Sequence, residues 1–222
     1  MILKQFMVIG VGRFGSALAK RLFDMGHEVL AVDIDEELIQ EISDKVTHAI
    51  AADATDENVL RCLGVRNFDV GVVAIGDDIQ SSIITTLMLK EMGLSYVVAK
   101  AQNEVHAKVL KKLGADRVVF PERDMGIRVA HNLISTNILD IIELSPDYSL
   151  LEFEVFSSWT GESLKNLNLR AKYGINVLAI KNNIGKGSIN VSPKAQDLIK
   201  EGDILVVVGS NEDLLKLEKK VE

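Results

Sequence analysis

The chain has 222 residues and 24.4 kDa, is 47% hydrophobic and 26% charged, and carries a net charge of −7 with a pI near 5.2. That length and apolar content support one large core or two modest ones and exclude a disordered chain, as does Pro at only 3 positions. Cys62 as the only cysteine excludes a disulfide scaffold and points to a reducing cytosol, and the acidic balance argues against a nucleic-acid partner.

In chain order, short apolar runs at 5–10, 28–33, 48–51, 70–76, 96–100 and 117–120 are rich in Val, Ile and Ala, with little polar alternation. Strands covered on both faces have that composition. Amphipathic stretches lie between them: Phe14, Leu18 and Leu22 share one helical face, as do Leu38 and Ile42, Ile83 and Leu87, and Val105 and Val109. Gly26, Gly64, Gly93 and Gly114 each follow such a stretch, where a left-handed cap suits glycine. Repeated strand–helix units predict an α/β fold with a Rossmann-like, doubly wound parallel sheet.

The pattern changes after Pro121. Residues 122–139 read as one helix, with Met125, Val129 and Leu133 facing a partner, and Leu144-Ser145-Pro146-Asp147 reads as a turn at a domain boundary. Strands at 150–156, 176–181, 189–192 and 203–208, a helix at 163–172, a hairpin turn at 182–187 and an amphipathic end from Asn211 then predict a small α+β C-terminal subdomain. The expected division is 1–140 and 141–222. No stretch reaches the roughly 18–20 unbroken apolar residues of a membrane helix, and Lys4, Gln5, Gly10 and Gly12 interrupt any signal-peptide core.

Gly10-Val11-Gly12-Arg13-Phe14-Gly15 is a G-x-G-x-x-G that follows a strand and opens a helix, the context in which such a string binds phosphate. Gly10 makes the tight turn, Gly12 lets a phosphate approach the backbone, and Gly15 allows close helix–strand packing. Asp33 ends the second strand, near the usual spacing for a carboxylate that binds ribose. Arg13, in a helix's first turn, suits a ligand with more terminal phosphate charge than NAD, such as ADP or ATP, or is simply solvent-facing. Asp33 with Asp35 makes a 2′-phosphate unwelcome. Asp53-Ala54-Thr55 follows the third strand, where adenine is expected, and Gly76 and Lys100 end the fourth and fifth strands at the carboxyl edge. Lys100 reads equally as a phosphate-facing cation or a surface charge. Glu122 reads as a ligand for a hard cation such as Mg²⁺ or Ca²⁺, or as a charge complementing a helix N-terminus.

Enzyme motifs are missing: there is no G-x-S-x-G, H-E-x-x-H, C-x-x-C or Walker lysine pattern. His27, His48, His106 and His131 lack metal-ligand spacing and read as surface or satisfied core residues, and Cys62 reads as a packing residue. The second module carries no convincing acid or base for a dehydrogenase, so binding without chemistry is the better reading. An NAD(H)-linked oxidoreductase or NAD(H)-sensing regulator is the alternative.

The G-V-G-R-F-G turn, Ala31-Val32-Asp33, Ala52-Asp53-Ala54-Thr55, Val73-Ala74-Ile75-Gly76, Lys100-Ala101-Gln102-Asn103, Gly114-Ala115-Asp116 and Pro121-Glu122-Arg123-Asp124-Met125-Gly126 together resemble RCK (KTN) domains. Gly161-Glu162-Ser163-Leu164 and Gly202-Asp203 extend the resemblance into the C-terminal part. These domains regulate potassium channels and Ktr- or Trk-type uptake systems. The resemblance implies homodimers assembling into an octameric ring, docked from the cytoplasm on a membrane potassium-translocating subunit. It implies ATP or ADP at Gly10, Gly12, Arg13, Phe14, Gly15, Asp33, Asp35, Asp53, Ala54, Thr55, Ala74, Ile75, Gly76 and Lys100, with Glu122 on a divalent cation. It further implies cyclic di-AMP between two C-terminal subdomains at Arg170, Ala171, Ile175, Asn176 and Pro193.

Overall fold

Hydrophobic alternation across a doubly covered sheet explains the first half of the chain. In the computed structural model, which describes residues 3–134, 138–182 and 188–218, strands β1 (Gln5–Ile9), β2 (Glu28–Asp33), β3 (His48–Ala51), β4 (Val70–Val73), β5 (Tyr96–Lys100) and β6 (Arg117–Val119) form a parallel sheet. Their order is β3-β2-β1-β4-β5-β6. Met7, Ile9, Leu30, Val32 and Val73 enter one core, while Val8, Val29, Ala31 and Val72 enter the other. Both sides of β1, β2 and β4 are therefore apolar, which is why those runs show no polar alternation, whereas β3 at the sheet edge is largely exposed. Fully burying a side chain such as Met7 or Leu110 contributes roughly 2 kcal/mol.

The connecting helices are α1 (Arg13–Asp24), α2 (Glu36–Ile42), α3 (Glu57–Cys62), α4 (Ile79–Glu91) and α5 (Glu104–Lys112), with a single 3-10 turn at Val65–Asn67. Local chemistry sets their starts. Asp35, Asp56, Asp78 and Asn103 each accept from backbone N–H groups of the first turn as N-caps. The glycines expected to close helical stretches, Gly26, Gly64, Gly93 and Gly114, all take positive φ.

The chain divides into two compact units, Met1–Glu122 and Arg123–Glu222. The division falls before helix α6 (Pro121–Ile134) is well begun, so most of that helix counts with the second unit rather than with the first, where the sequence pattern had placed it. Within the second unit β7 (Ile138–Ser145), β8 (Tyr148–Glu154), β9 (Asn176–Lys181), β10 (Ile189–Asn190) and β11 (Ile204–Ser210) form an antiparallel sheet in the order β10-β9-β11-β8-β7. Its core joins Ile138, Leu151, Phe153, Leu205 and Val207 to Leu214 and Leu217 of α9 (Asn211–Glu218).

Three expectations for this half are corrected. The helix expected over 122–139 ends earlier, and β7 begins at Ile138. Register shifts between Ile138 and Asp140 and between Glu143 and Ser145 break the two-residue period that would have revealed that strand. The turn at 144–147 is no linker, since Ser145 pairs with Tyr148 and the β7–β8 hairpin closes there. The helix expected over 163–172 is two short ones, α7 (Leu164–Leu167) and α8 (Leu169–Tyr173), because Asn168 between them takes φ 47° and left-handed backbone ends a helix. The expected hairpin turn at 182–187 lies, from Asn183 on, outside the described residues. Among the described residues no helix is long and apolar enough to cross a membrane.

Candidate functional site

The strand order reverses between β1 and β4, and in open α/β sheets ligands bind in the crevice at the carboxyl ends of the strands flanking such a point. The glycine turn fills that position. Gly10 has φ +88°, and a Cβ there would stand 2.7 Å from Ile75 N and 2.8 Å from the carbonyl carbon of Ala74. A Cβ on Gly15 would stand 1.8 Å from the Gly10 carbonyl oxygen. These two glycines, with Ala74 and Ile75, close the turn tightly against the extension of β4.

Gly12 differs, because a Cβ there would meet nothing within 4 Å. It is the N-cap of α1, offers no side-chain cap, and is followed by a first turn without acidic residues. The first N–H groups of α1 therefore have no side-chain cap, and a helix start of this kind suits an anion. Arg13 is exposed there and Phe14 is half-buried.

Asp33 is bonded into the same turn. Its Oδ2 accepts from Val11 N at 2.7 Å, and its Oδ1 accepts from Asp35 N at 3.0 Å. The carboxylate therefore holds the glycine turn to the end of β2 and keeps lone pairs for a ribose. Asp35, expected to share that task, serves as the N-cap of α2, with its Oδ1 accepting from Glu37 N at 2.9 Å. Asp53 accepts from both Thr55 N (2.8 Å) and Thr55 Oγ1 (2.7 Å), and these bonds hold its carboxyl below the usual range. Ala54 between them is buried, its carbonyl accepting from Thr85 Oγ1.

Lys100, the last residue of β5, is only 13% exposed in its side chain, and its Nζ stands 2.6 Å from Glu122 Oε1. The same ammonium lies 3.9 Å from where a Gly76 Cβ would be, and the Gly76 carbonyl accepts from Gln102 Nε2. The hydrogen bond from Lys100 lowers the Glu122 carboxyl pKa, against an opposing effect of burial, and the charge of Arg13 adds to the lowering. Arg13, Lys100 and Glu122 thus belong to one electrostatic neighbourhood at the carboxyl edge. Among the described residues no group of three or more His, Cys, Asp and Glu side chains is placed to hold a metal. A divalent ion on Glu122 would need further ligands from outside that set.

Gln102 escaped notice as a site residue, although it stands in the Lys100–Asn103 string that carried the resemblance. Only the fold shows that its amide reaches across to Gly76, which lies three residues beyond the end of β4 rather than ending it. His106 also differs from the satisfied histidine expected. It is 3% exposed, its Nδ1 accepts from Gln102 N at 3.4 Å, and its Nε2 has no partner among the described residues. Burial lowers its pKa.

In the second unit, Arg170 and Ala171 are exposed on α8, Gly174 closes that helix, and Ile175 and Asn176 lead into β9. Ile175 is fully buried, so it offers a ligand its backbone and not its side chain. Asn176 is exposed. Pro193 follows β10 in a segment bonded to the start of α7, where Lys165 N donates to Ala195 O and Leu164 N to Asp197 O.

The TrkA-N domain family matches residues 6–121, and the TrkA-C domain family matches residues 150–222. The chain is 52% identical to Ktr system potassium uptake protein C of Bacillus subtilis, covering 98% of this chain and 97% of that protein. It is 48% identical to Ktr system potassium uptake protein A of the same organism, covering 97% and 96%. Among solved structures, the GsuK RCK domain superposes with a TM-score of 0.70 at 19% identity, over 99% of this chain and 48% of that one. The GsuK channel bound to NAD superposes with a TM-score of 0.69 at 18% identity, over all of this chain and 40% of that one. The chain thus spans about half the length of those structural relatives or less, and the likeness is one of fold.

Proposed function

From the premise that this chain belongs to the TrkA-N/TrkA-C (RCK) family, as a regulatory subunit of a Ktr-type potassium uptake system, we propose that it is a nucleotide-sensing gating subunit. ATP and ADP are the ligands at the first unit's carboxyl edge. The observation that carries this reading is the start of α1 at Gly12, which has no side-chain cap and has space beside it, with Arg13 as the next residue and Lys100 at the end of β5 on the same sheet edge. Those two cations suit a terminal phosphate, and Asp33 suits an unphosphorylated ribose. Ala54 and Thr55 stand where adenine ends. Glu122 would be this chain's contribution to holding a divalent cation, which would offset the charge of a bound nucleotide.

Gating needs no bond to be made or broken. It needs one conformation of the assembly to bind ATP better than ADP by a few kcal/mol in total. The assembly proposed is a ring of homodimers, an octamer, on the inner face of the membrane beside a potassium-translocating subunit. The exposed apolar side chains of Met125, Val129 and Leu133 on α6 support a role for that helix in subunit contact. In the second unit, Arg170, Ala171, Asn176 and Pro193, with the backbone at Ile175, form half of a cyclic di-AMP site shared by two copies.

Titration calorimetry with ATP, ADP and NADH on the purified chain and on Arg13→Ala tests this. Tight ADP and ATP binding, weakened by Arg13→Ala, is the expected result. NADH binding much more tightly than either, and indifferently to Arg13, would favour the alternative of an NAD(H)-sensing regulator.

A further inference from the structure

His106 is a buried imidazole with one of its two nitrogens in use. It stands in the first turn of α5 and is 3% exposed. Its Nδ1 accepts from Gln102 N at 3.4 Å, and its Nε2 has no partner among the described residues. Burial lowers its pKa and keeps the ring neutral, so with Nδ1 accepting, the ring's one proton is on Nε2. A buried N–H without an acceptor destabilises a fold, and a leucine would fill this place without one. What the imidazole supplies and leucine cannot is the acceptor at Nδ1.

That acceptor holds a segment of the candidate site. Ala101 N still donates to Val119 O, continuing the pairing of β5 with β6, and the next N–H along the chain, that of Gln102, is held by His106. The side-chain amide of the same Gln102 crosses to the Gly76 carbonyl. Lys100 stands two residues earlier, its ammonium 3.9 Å from where a Gly76 Cβ would be. The bond from His106 N to Asn103 Oδ1, at 2.9 Å, caps α5 and fixes the helix start rather than Gln102.

We propose that His106 is a positioning residue for nucleotide binding: its Nδ1 fixes the Gln102 N–H, so that the Gln102 amide stays on the Gly76 carbonyl and the rim formed by Gly76 and Lys100 keeps its shape. The proposal rests on the nucleotide-sensing reading and adds to that site a buried residue that touches no ligand.

Titration calorimetry with ADP, beside urea unfolding, on the full chain and on its His106→Leu and His106→Asn variants tests this. Leucine fills the space and offers no acceptor, whereas asparagine leaves space but can set its Oδ1 close to where Nδ1 stands. His106→Leu is expected to unfold no more readily than the wild type yet to bind ADP about tenfold more weakly. His106→Asn is expected to unfold more readily yet to bind ADP within about twofold of the wild type. A residue that only packs would move stability and affinity together. That outcome, or wild-type affinity in His106→Leu, overturns the proposal and leaves nucleotide sensing in place. Absence of ADP binding by the wild type would remove the nucleotide-sensing reading and this proposal with it. Long-range ¹H–¹⁵N spectra of the wild-type imidazole give a check that needs no variant: the proton is expected on Nε2, and a proton on Nδ1 overturns the proposal.

Discussion

The glycine turn of the first unit and the α8–β9 segment of the second were both expected to bind adenine nucleotides, and the fold treats them differently. At the turn, backbone meets backbone: Gly10 presses on Ala74 and Ile75, Gly15 on Gly10, and Asp33 is bonded to Val11. One position, Gly12, is left open. At α8–β9 the candidate side chains of Arg170, Ala171 and Asn176 are exposed on a short helix and a strand start, and only Ile175 is buried. The turn itself is formed within one chain. Exposed side chains alone do not enclose a ligand, which agrees with the shared, two-copy cyclic di-AMP site that the family resemblance implies.

The sharpest way to break this comparison is Gly15→Ala. Its new methyl group would collide with the Gly10 carbonyl, so we expect a loss of about 2–3 kcal/mol in urea unfolding together with loss of ADP binding. Unchanged stability would mean the turn is not closed as described. Arg170→Ala tests the other side. It should weaken cyclic di-AMP by about 1.5–3 kcal/mol in calorimetry while leaving ADP affinity and unfolding unchanged; an equal loss for both ligands would merge the two sites.

Asp33→Ala should lower ADP affinity by about 1–3 kcal/mol and also lower stability, because two backbone N–H groups lose their acceptor. Full affinity retained would place the ribose elsewhere. Gly12→Ala sharpens the contrast with Gly15: stability should stay within about 0.5 kcal/mol, while ADP binding falls about tenfold because the methyl group occupies the phosphate's approach. Equal effects on stability at Gly12 and Gly15 would erase the distinction between them.

The smallest expected effect is on pH dependence. Burial lowers the His106 pKa, so the unfolded chain takes up a proton first as pH falls. Stability that is fully present above pH ~6.5 should decline below it, and His106→Gln should flatten that slope in unfolding curves recorded from pH 8 to pH 5. A slope unaffected by the substitution would move the effect to another group.

Much of the first unit was legible because its central strands β1, β2 and β4 are buried on both faces. Met7 and Ile9 enter one core and Val8 the other, so an unbroken apolar run such as 5–10 marks a strand directly. The second unit's covered sheet face shows as alternation, which is plain in β8 but lost in β7, where two register shifts scramble the period. Asn168 gave no warning of a helix break, since asparagine tolerates ordinary helical backbone as well as φ 47°.

The candidate site divides along the same line. The order of residues alone marked the glycine turn and Asp33, because each stands at a fixed offset from a strand end, and left Arg13 and Lys100 readable as either ligand-facing or surface cations. Tertiary structure decided what those residues face. It assigned Asp35 to capping α2 and Asp33 to holding the turn, and it set Lys100 on Glu122, 22 positions away. The physical reason is that strand and turn signals are local, carried by side-chain periodicity and backbone freedom. The pairing of charges depends on which strand ends the sheet order brings together.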